Sequence, residues 1–345
     1  LGDWQPCARR YPHGLQPVAR RVRAHGMQFG LWIEPEMVNA DSDLYRAHPE
    51  WVMGVPGREQ PLGRQQYVLD LGRAEVQEYL FRVVDGLVES LQLDFLKWDM
   101  NRDHVQGSGS DGDAGTHRQT VALYALLDEL RVRHPRVEFE SCASGGGRVD
   151  LEILRRTERV WTSDCNDALE RQTIQRGASM LIPPEVMGAH IGPTRAHTTG
   201  RVHTLAFRAA PALFGHLGVE WDVTTLDERD RDALAATIDL HKRFRPLLHS
   251  GDTVRFDTEV AYCAHGVYAP DRSEGLVSFA QLTTAPSLTP PALRLPGLDP
   301  DRTYRAEHVA LPRERWGLAA GQPAWLASGV ELSGRQLAVH GLRPP

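Results

Sequence analysis

The sequence has almost no lysine. Of its 39 basic residues, 37 are arginine, and the two lysines are Lys97 and Lys242. Because a chain with this bias uses arginine wherever a plain positive charge suffices, each lysine is expected at a position that needs a compact ammonium group. Lys97 lies in the run LDFLKWDMNRDH, two residues before Asp99, where a buried strand would otherwise be apolar. We therefore treat Lys97 and Asp99 as candidates for a functional site.

Several other absences exclude whole classes of protein. A net charge of -6 with no basic stripe argues against a nucleic-acid partner. No apolar run approaches the roughly 18 residues of a membrane span, and no signal peptide is recognisable. The four cysteines show neither a CxxC pair nor zinc spacing, which favours reduced thiols and a cytoplasmic location. They are scattered along the chain as Cys7, Cys142, Cys165 and Cys263.

Strand-like and helical patterns alternate from residue 15 to about residue 247. Apolar runs such as MQFGLWI, QQYVLDL, LDFLKWD and RVEFESC precede longer segments with apolar residues at helical spacing. This alternation predicts parallel strands with helices packed outside them. Neither GxGxxG nor GxxxxGK[ST] is present, so the nucleotide-binding α/β folds lose support. The pattern favours a TIM-type (β/α)8 barrel.

The barrel prediction leaves one strand missing. We count seven candidate strands, whereas a closed barrel has eight, and the deficit lies at the start of the chain. After about residue 252 the pattern changes to short β-rich runs separated by Pro/Gly turns, which is typical of an antiparallel β-sandwich. The predicted domains are a catalytic (β/α) barrel at residues 1–250 and a small β-sandwich at residues 251–345.

Alternation along the strand LDFLKWD places Lys97 and Asp99 on one face and Trp98 on the other. If Trp98 packs under the helices, the charged pair points into the barrel at the carboxyl end of the strand, where barrel enzymes hold their active sites. A neighbouring ammonium lowers the pKa of a carboxyl group, and an ionised carboxylate can act as a nucleophile. The alternative is a buried salt bridge that only stabilises the barrel interior.

A second carboxylate follows the strand RVWTSD. Asp167 stands in DALE, which has the spacing of a capping box and explains that residue as a helix cap. Asp164 lies three residues earlier at the strand end and has no such explanation. Two carboxylates from different strand ends of one barrel are the equipment of a glycosidase. This spacing makes Asp164 the second candidate catalytic residue.

Three further segments stand at predicted strand ends. SCASGGGR, with Cys142 and Gly145, could be a phosphate cradle or a place where the backbone approaches an uncharged ligand. Trp32 in LWIEPEM could belong to the core or form a platform for a sugar ring. Glu34 and Glu36 could bind a metal, but no His/Asp cluster accompanies them, so no metal site is predicted.

Taken in order, FGLWIEPEM, LKWDMNR, SCASGGGR, WTSDCND and GAHIGP…HTTGR…FGHLGVEW resemble the α-galactosidases of glycoside hydrolase family 36. The resemblance covers nearly the whole chain. It implies retaining, double-displacement hydrolysis of terminal α-1,6-linked galactose in melibiose and raffinose, without a cofactor. By motif, it makes Asp99 the nucleophile and Asp164 the acid and base.

The resemblance also implies sugar contacts for a set of other residues that match the family's motifs, namely Trp32, Arg64, Lys97, Cys142 and Gly145. In similar enzymes Trp32 and Cys142 crowd the O2 side of the sugar, which favours galactose over N-acetylgalactosamine. Family members carry a first barrel strand that ends in an Asp-Asp pair, and a β-sandwich before it. Both belong upstream of LGDWQP, so we expect this chain to be a fragment of a protein that is often a homotetramer.

Two other functions remain open at this point. A galactosyl transferase of the raffinose-synthase type would share both aspartates and differ in its acceptor. A fragment without the Asp-Asp pair could instead bind galactosides without turning them over. The preferred aglycone and chain length, and the balance of hydrolysis and transglycosylation, are not readable from the sequence.

Overall fold

The computed structural model describes residues 1–108, 112–287, 289–314 and 322–344. The chain divides into two compact units, Leu1–Asp164 and Cys165–Pro345. Among the described residues, no helix combines the length and the apolar character needed to cross a membrane. The two units are described in turn.

The first unit alternates strands with helices in chain order. Its elements are α1 (Gln16–Ala24), β1 (Gly30–Ile33), β2 (Met37–Asn39), α2 (Asp43–Ala47), a 3-10 turn (Pro49–Trp51), β3 (Gln66–Val68), α3 (Ala74–Leu91), β4 (Phe95–Trp98), α4 (Thr116–Arg133), β5 (Glu138–Ser141), α5 (Leu151–Leu154) and β6 (Arg159–Trp161).

Four parallel strands of this unit lie side by side in the order β1-β4-β5-β6. The register places Trp32 opposite Lys97, and Trp98 opposite Ser141. Helix α3 buries a single face against the sheet, with apolar residues at i, i+4 and i+8 from Val76. Trp98, 1% exposed, joins this core and therefore points away from Lys97 and Asp99, as alternation along the strand predicts.

The segment QQYVLDL is the one predicted barrel strand that the structure places elsewhere. Its residues 66–68 form β3, which pairs antiparallel with β2 in a separate two-stranded sheet, Met37 opposite Val68. Strand β1 instead pairs directly with β4. The prediction of a parallel strand there was wrong, because an apolar alternating run has the same period in a hairpin as in a barrel.

The second unit begins with two further parallel strands and ends in antiparallel ones. Its elements are α6 (Ala168–Ala178), a 3-10 turn (Pro184–Val186), β7 (Met187–Ile191), α7 (Leu205–Leu213), β8 (His216–Val219), a 3-10 turn (Val223–Thr225), α8 (Glu228–Leu248), β9 (Asp252–Phe256), β10 (Tyr262–Tyr268), β11 (Gly275–Gln281), β12 (Thr303–Ala306), α9 (Trp325–Ser328), β13 (Val330–Ser333) and α10 (Gly334–Val339).

Strands β7 and β8 pair in parallel, with Ile191 opposite Val219, and α7 packs its alanine-rich face on β7. Beyond α8 the chain forms an antiparallel sheet in the order β11-β10-β9 and an antiparallel pair, β12 with β13. The change from parallel to antiparallel pairing after residue 251 follows the change in sequence pattern. The predicted boundary between residues 250 and 251 itself stays a prediction.

Candidate active site

Asp99 follows the last residue of β4 and is 6% exposed. Its Oδ2 accepts hydrogen bonds from Trp32 Nε1 at 2.9 Å and from Asn101 Nδ2 at 2.7 Å. Its Oδ1 accepts the backbone N–H of Met100 at 2.8 Å. The carboxylate that follows this strand is therefore held by three donors, one from β1 and two from the residues just after Asp99.

Burial alone would raise the pKa of the Asp99 carboxyl. Hydrogen bonds from Cys142, Asn101, Trp32 and the Met100 backbone outweigh that effect and hold the pKa below its usual value. Burial, with the Asp99 charge beside it, raises the pKa of the Cys142 thiol to about 12. Cys142 therefore keeps its proton and serves as a donor to an ionised Asp99.

Lys97 lies on the same face of β4 but pairs with a different carboxylate. Its Nζ is 3.1 Å from Glu140 Oε1 on β5 and 4.5 Å from the ring centre of Trp161 on β6. The pKa of Asp99 is lowered as predicted, but the leading causes of the lowering are hydrogen bonds to Asp99, and Lys97 is not among them. The predicted sugar contact of Lys97 stays a prediction.

Asn101, which sequence reasoning missed, joins Asp99 to two other residues. Besides its bond to Asp99, its backbone N–H donates to Glu34 Oε1 at 2.9 Å, and its Oδ1 accepts from Ser144 Oγ at 3.2 Å. Glu34 is 1% exposed, and burial raises the pKa of its carboxyl against these hydrogen bonds. Its position in the sequence could have indicated this role, since Asn101 stands only two residues after Asp99, within reach of its carboxylate.

Glu36 is buried two residues beyond Glu34, with a different set of partners. Its Oε1 accepts from Trp98 Nε1 at 2.9 Å and from Arg148 Nη1 at 2.7 Å. Both glutamates are therefore occupied by the protein's own donors. Among the described residues, no group of three or more His, Cys, Asp and Glu side chains could hold a metal ion.

Asp164 lies three residues after β6 and is exposed. Trp161 Nε1 donates to its Oδ1 at 3.1 Å. The sequence places Asp99, Cys142 and Asp164 after β4, β5 and β6, three strands that are neighbours in one sheet. Since parallel strands end at the same edge of a sheet, these residues share the carboxyl edge of the first unit.

The glycines of SCASGGGR pack directly against the backbone that carries Asp164. Gly145 has φ +83°, and a Cβ there would lie 2.7 Å from Ser163 Cα and 2.8 Å from the Asp164 nitrogen. A Cβ at Gly146 would lie 2.6 Å from the Thr162 carbonyl oxygen. These two positions require glycine because of close backbone approach, so the structure gives Gly145 a structural role beside its predicted contact with the sugar.

Trp32 and Arg64 are the two remaining predicted contact residues. Trp32 is 46% exposed on β1 although its indole N–H is bound to Asp99, so part of the residue is accessible to solvent. Arg64 is exposed with φ +53°, and its charge acts on the buried Glu34. The seven predicted site residues all belong to the first unit, and direct contacts join Trp32 and Cys142 to Asp99, and Gly145 to Asp164.

In the second unit, Asp167 caps α6 as predicted, its Oδ1 accepting from the Leu169 N–H at 2.8 Å. It is also fully buried, with Thr199, Arg201 and His203 bound to it. Burial would raise the pKa of the Asp167 carboxyl, and these donors bring it below its usual value. Asp167 therefore anchors the HTTGRVH loop to the start of α6.

The first unit holds a carboxylate with a lowered pKa, Asp99, and a more exposed one, Asp164, at the same edge of its sheet. A buried aspartate that is kept ionised by neutral donors can attack an electrophilic carbon, and an exposed aspartate can exchange protons with substrate and water. A pair of carboxylates is what glycosidases of both the retaining and the inverting type use.

Comparison with known proteins identifies the family. The Melibiase family model matches residues 1–251, and that of the glycosyl hydrolase family 36 C-terminal domain matches residues 262–345. An α-galactosidase of Escherichia coli is 46% identical over 351 aligned residues, covering 100% of this chain and 49% of that protein. α-Galactosidase AgaA of Geobacillus stearothermophilus is 38% identical, covering 90% of this chain and 44% of its own length.

Solved structures that resemble this chain are also α-galactosidases. The α-galactosidase of Lactobacillus brevis superposes with a TM-score of 0.89 at 33% identity, covering 99% of this chain and 45% of that one. AgaA superposes with a TM-score of 0.88 at 35% identity, covering 100% and 46%. The predicted fold class, a TIM-type (β/α) barrel followed by antiparallel β-structure, is thereby confirmed. The chain spans about half the length of the relatives it matches, and it belongs to glycoside hydrolase family 36.

Proposed function

We propose that the protein is a retaining α-galactosidase that releases terminal α-1,6-linked galactose from melibiose- and raffinose-type oligosaccharides. The observation that carries the proposal is Asp99, a buried carboxylate whose pKa is held below its usual value by four donors. Two related crystal structures support the substrate class, since variants of AgaA were crystallised with stachyose and with raffinose.

In the first half of the proposed reaction, Asp99 attacks the anomeric carbon of galactose. The bond from that carbon to the aglycone oxygen breaks, and Asp164 donates its proton to the departing oxygen. The product is a galactosyl ester on Asp99 and a free aglycone hydroxyl. The neutral donors around Asp99 suit this step, because they stabilise the carboxylate without a permanent cation that would compete for it.

In the second half, Asp164 is a carboxylate and acts as the base. It accepts a proton from water, whose oxygen attacks the anomeric carbon and displaces Asp99. Two inversions restore the original α configuration, and both aspartates return to their starting protonation states. The exposure of Asp164 suits a group that must meet the aglycone first and water afterwards.

Selectivity for galactose is proposed to rest on Trp32 and Cys142. Trp32 is 46% exposed, whereas Cys142 is 1% exposed and hydrogen-bonded to Asp99. Both side chains contact Asp99 and would occupy space beside the sugar's O2, which would disfavour an acetamido group there. Arg64, Lys97 and Gly145 complete the proposed set of sugar contacts.

The experiment is an assay of the intact protein with a nitrophenyl α-galactoside, with proton NMR to identify the first sugar formed. We expect α-galactose first, mutarotating later. Asp99→Ala should abolish turnover, whereas Asp164→Ala should spare the first step for good leaving groups such as nitrophenol. First formation of β-galactose, or equal loss on good and poor leaving groups in Asp164→Ala, would contradict the assignments.

Product analysis with excess sucrose separates hydrolysis from transfer. Galactose as the main product supports the hydrolase, whereas a galactosylated sucrose as the main product identifies a transferase. Binding of galactose without release of nitrophenol would identify a binding protein. The proposed homotetramer is tested by light scattering on the same intact protein.

A further inference from the structure

Ser144 has an unusual backbone for its residue type. Its φ is +48°, in the left-handed region that residues with a Cβ avoid. Such conformations cost on the order of 1–3 kcal/mol and persist mainly where the surrounding structure imposes them, often at functional sites. A glycine at position 144 would adopt this conformation freely. The presence of serine there therefore needs a reason in its side chain.

The Ser144 hydroxyl reaches the residue that holds the nucleophile. Its Oγ donates to Asn101 Oδ1 at 3.2 Å, and Asn101 Nδ2 donates to Asp99 Oδ2 at 2.7 Å. The same asparagine donates its backbone N–H to Glu34, while its side-chain nitrogen serves Asp99 and its side-chain oxygen faces Ser144. Ser144 therefore supplies the donor on the one side of this amide that the carboxylates cannot serve.

The next residue contacts the other half of the catalytic pair. Gly145 lies against the backbone of Ser163 and Asp164. A single peptide, Ser144–Gly145, thus touches the partner of Asp99 on one side and the backbone of Asp164 on the other. Displacement of this peptide would change the positions of both aspartates together.

We propose that Ser144 is a positioning residue that acts through Asn101 to hold Asp99 in register with Asp164. The proposal rests on the proposed function, because it assigns Ser144 a part in that reaction. It differs from a sugar contact, since the hydroxyl of Ser144 works on a protein side chain. It also differs from a purely structural role, since the left-handed backbone would be easier without the side chain.

The test is Ser144→Gly in the intact protein. Glycine accepts φ +48° freely, so we expect an unchanged or higher Tm. We expect kcat/KM to fall about two- to tenfold, the rate equivalent of one net hydrogen bond. The acid limb of the kcat/KM profile should move to higher pH, because a less firmly held Asn101 donates more weakly to Asp99.

The matched control is Gln92→Gly. Gln92 is also a non-glycine residue in the left-handed region, with φ 52° at the end of α3. The change relieves the same backbone conformation and touches nothing at the active site, so Tm should respond alike and the pH profile should stay unchanged. The proposal would be overturned if Ser144→Gly lowered both Tm and activity, or if its activity equalled that of the wild type.

A double-mutant cycle shows whether Ser144 acts through Asn101. In an Asn101→Ala background, measured with a nitrophenyl α-galactoside, the further change Ser144→Gly should cost nothing. Full additivity would show that Ser144 acts independently, for instance on the sugar, and would overturn the proposal. If the wild-type protein neither hydrolyses α-galactosides nor binds 1-deoxygalactonojirimycin, it is the proposed function that fails.

Discussion

Gly145 lies so close to Asp164 that a Cβ on the glycine would stand 2.8 Å from the aspartate's backbone nitrogen. The contact is between two backbones, so no side-chain rotation can relieve it. The position of the exposed Asp164 is therefore set by a glycine from the neighbouring strand end. The segment that sequence reasoning treated as a ligand contact also supports the loop that carries Asp164.

We expect Gly145→Ala to lower the unfolding free energy by about 2–4 kcal/mol, through the positive φ and the overlap with backbone. Turnover should fall about 100-fold, because a shift of about 1 Å in a catalytic group can cost that much. Gly86→Ala is the control, since a Cβ at that α3 position meets nothing within 4 Å. It should stabilise the protein slightly. Equal behaviour of the two variants would refute the packing argument.

Cys142→Ala should shift the acid limb of the kcat/KM profile to higher pH. The thiol donates to Asp99 and helps to lower its pKa, so its removal raises the pKa at which Asp99 ionises. Activity on the acid side should then be lost at a higher pH than in the wild type. Cys142→Ser, which keeps a donor, should recover part of the shift. Cys263→Ala, the loss of a buried thiol in the second unit, should leave the profile unchanged.

The cysteines should differ sharply in their reaction with iodoacetamide. Backbone hydrogen bonds from Arg10 and Arg9 lower the pKa of the exposed Cys7, whereas burial raises that of Cys142 to about 12. Because the thiolate is the reacting species, Cys7 should be alkylated first in the folded protein and Cys142 last. Peptide mass spectrometry after short exposure near neutral pH measures the order. Rapid labelling of Cys142 in the folded protein would contradict the buried hydrogen bond to Asp99.

Lys97→Met should lower the unfolding free energy by about 2–3 kcal/mol, because it leaves Glu140, 6% exposed, without its nearest cation. Arg159 Nε, 3.8 Å from Glu140 Oε2, limits the loss. Adding Glu140→Gln should restore most of the stability in denaturant unfolding. Turnover should stay low in the double variant if Lys97 also binds the sugar. Full recovery of stability and turnover in the double variant would show that Lys97 acts only through its ion pair with Glu140.

Stability should fall as the pH drops from about 6.5 towards 4, partly through His265. Burial, together with Arg176 and Arg255, lowers the pKa of this histidine to about 4. The unfolded chain then binds the proton more readily, so the contribution is complete above the unfolded pKa of 6.5 and is lost on acidification. A lowering of the pKa from 6.5 to about 4 corresponds to about 3–4 kcal/mol as an upper bound.

His265→Phe should flatten this pH dependence, since the ring packs edge-on against Phe214, with centroids 4.7 Å apart, and an apolar ring can replace it. Denaturant unfolding at pH 7 and pH 4.5 measures the effect, with the exposed His25→Gln as control. An unchanged slope in His265→Phe would assign the acid sensitivity to other groups.

The sequence predicted the elements of this fold better than their pairing. Long helices such as α3 and α4 were readable because apolar spacing and helix length are local properties. The antiparallel pairing of residues 66–68 with β2 was not, because it depends on a partner that local pattern does not name.

For the candidate site, too, the positions of residues along the chain could be predicted better than their partners. Asp99, Cys142 and Asp164 stood at strand ends, so their position at one edge could be predicted from the order of strands. The partner of Lys97 could not, since Glu140 lies on the next strand, directly opposite in register, 43 residues away in the chain. Asn101 was missed because an amide carries no charge to attract attention, although it holds two carboxylates at once.

The hydrogen bond from Trp32 to Asp99 has a consequence for how this candidate site could evolve. The indole that is proposed to contact the sugar also donates to Asp99, so a change at position 32 is expected to alter substrate choice and the basicity of Asp99 together. Laboratory selection for another sugar by way of Trp32 should therefore pass through slow intermediates and need a compensating substitution near Asp99. Substitutions at candidate sugar-contact residues that do not touch Asp99 should require fewer steps.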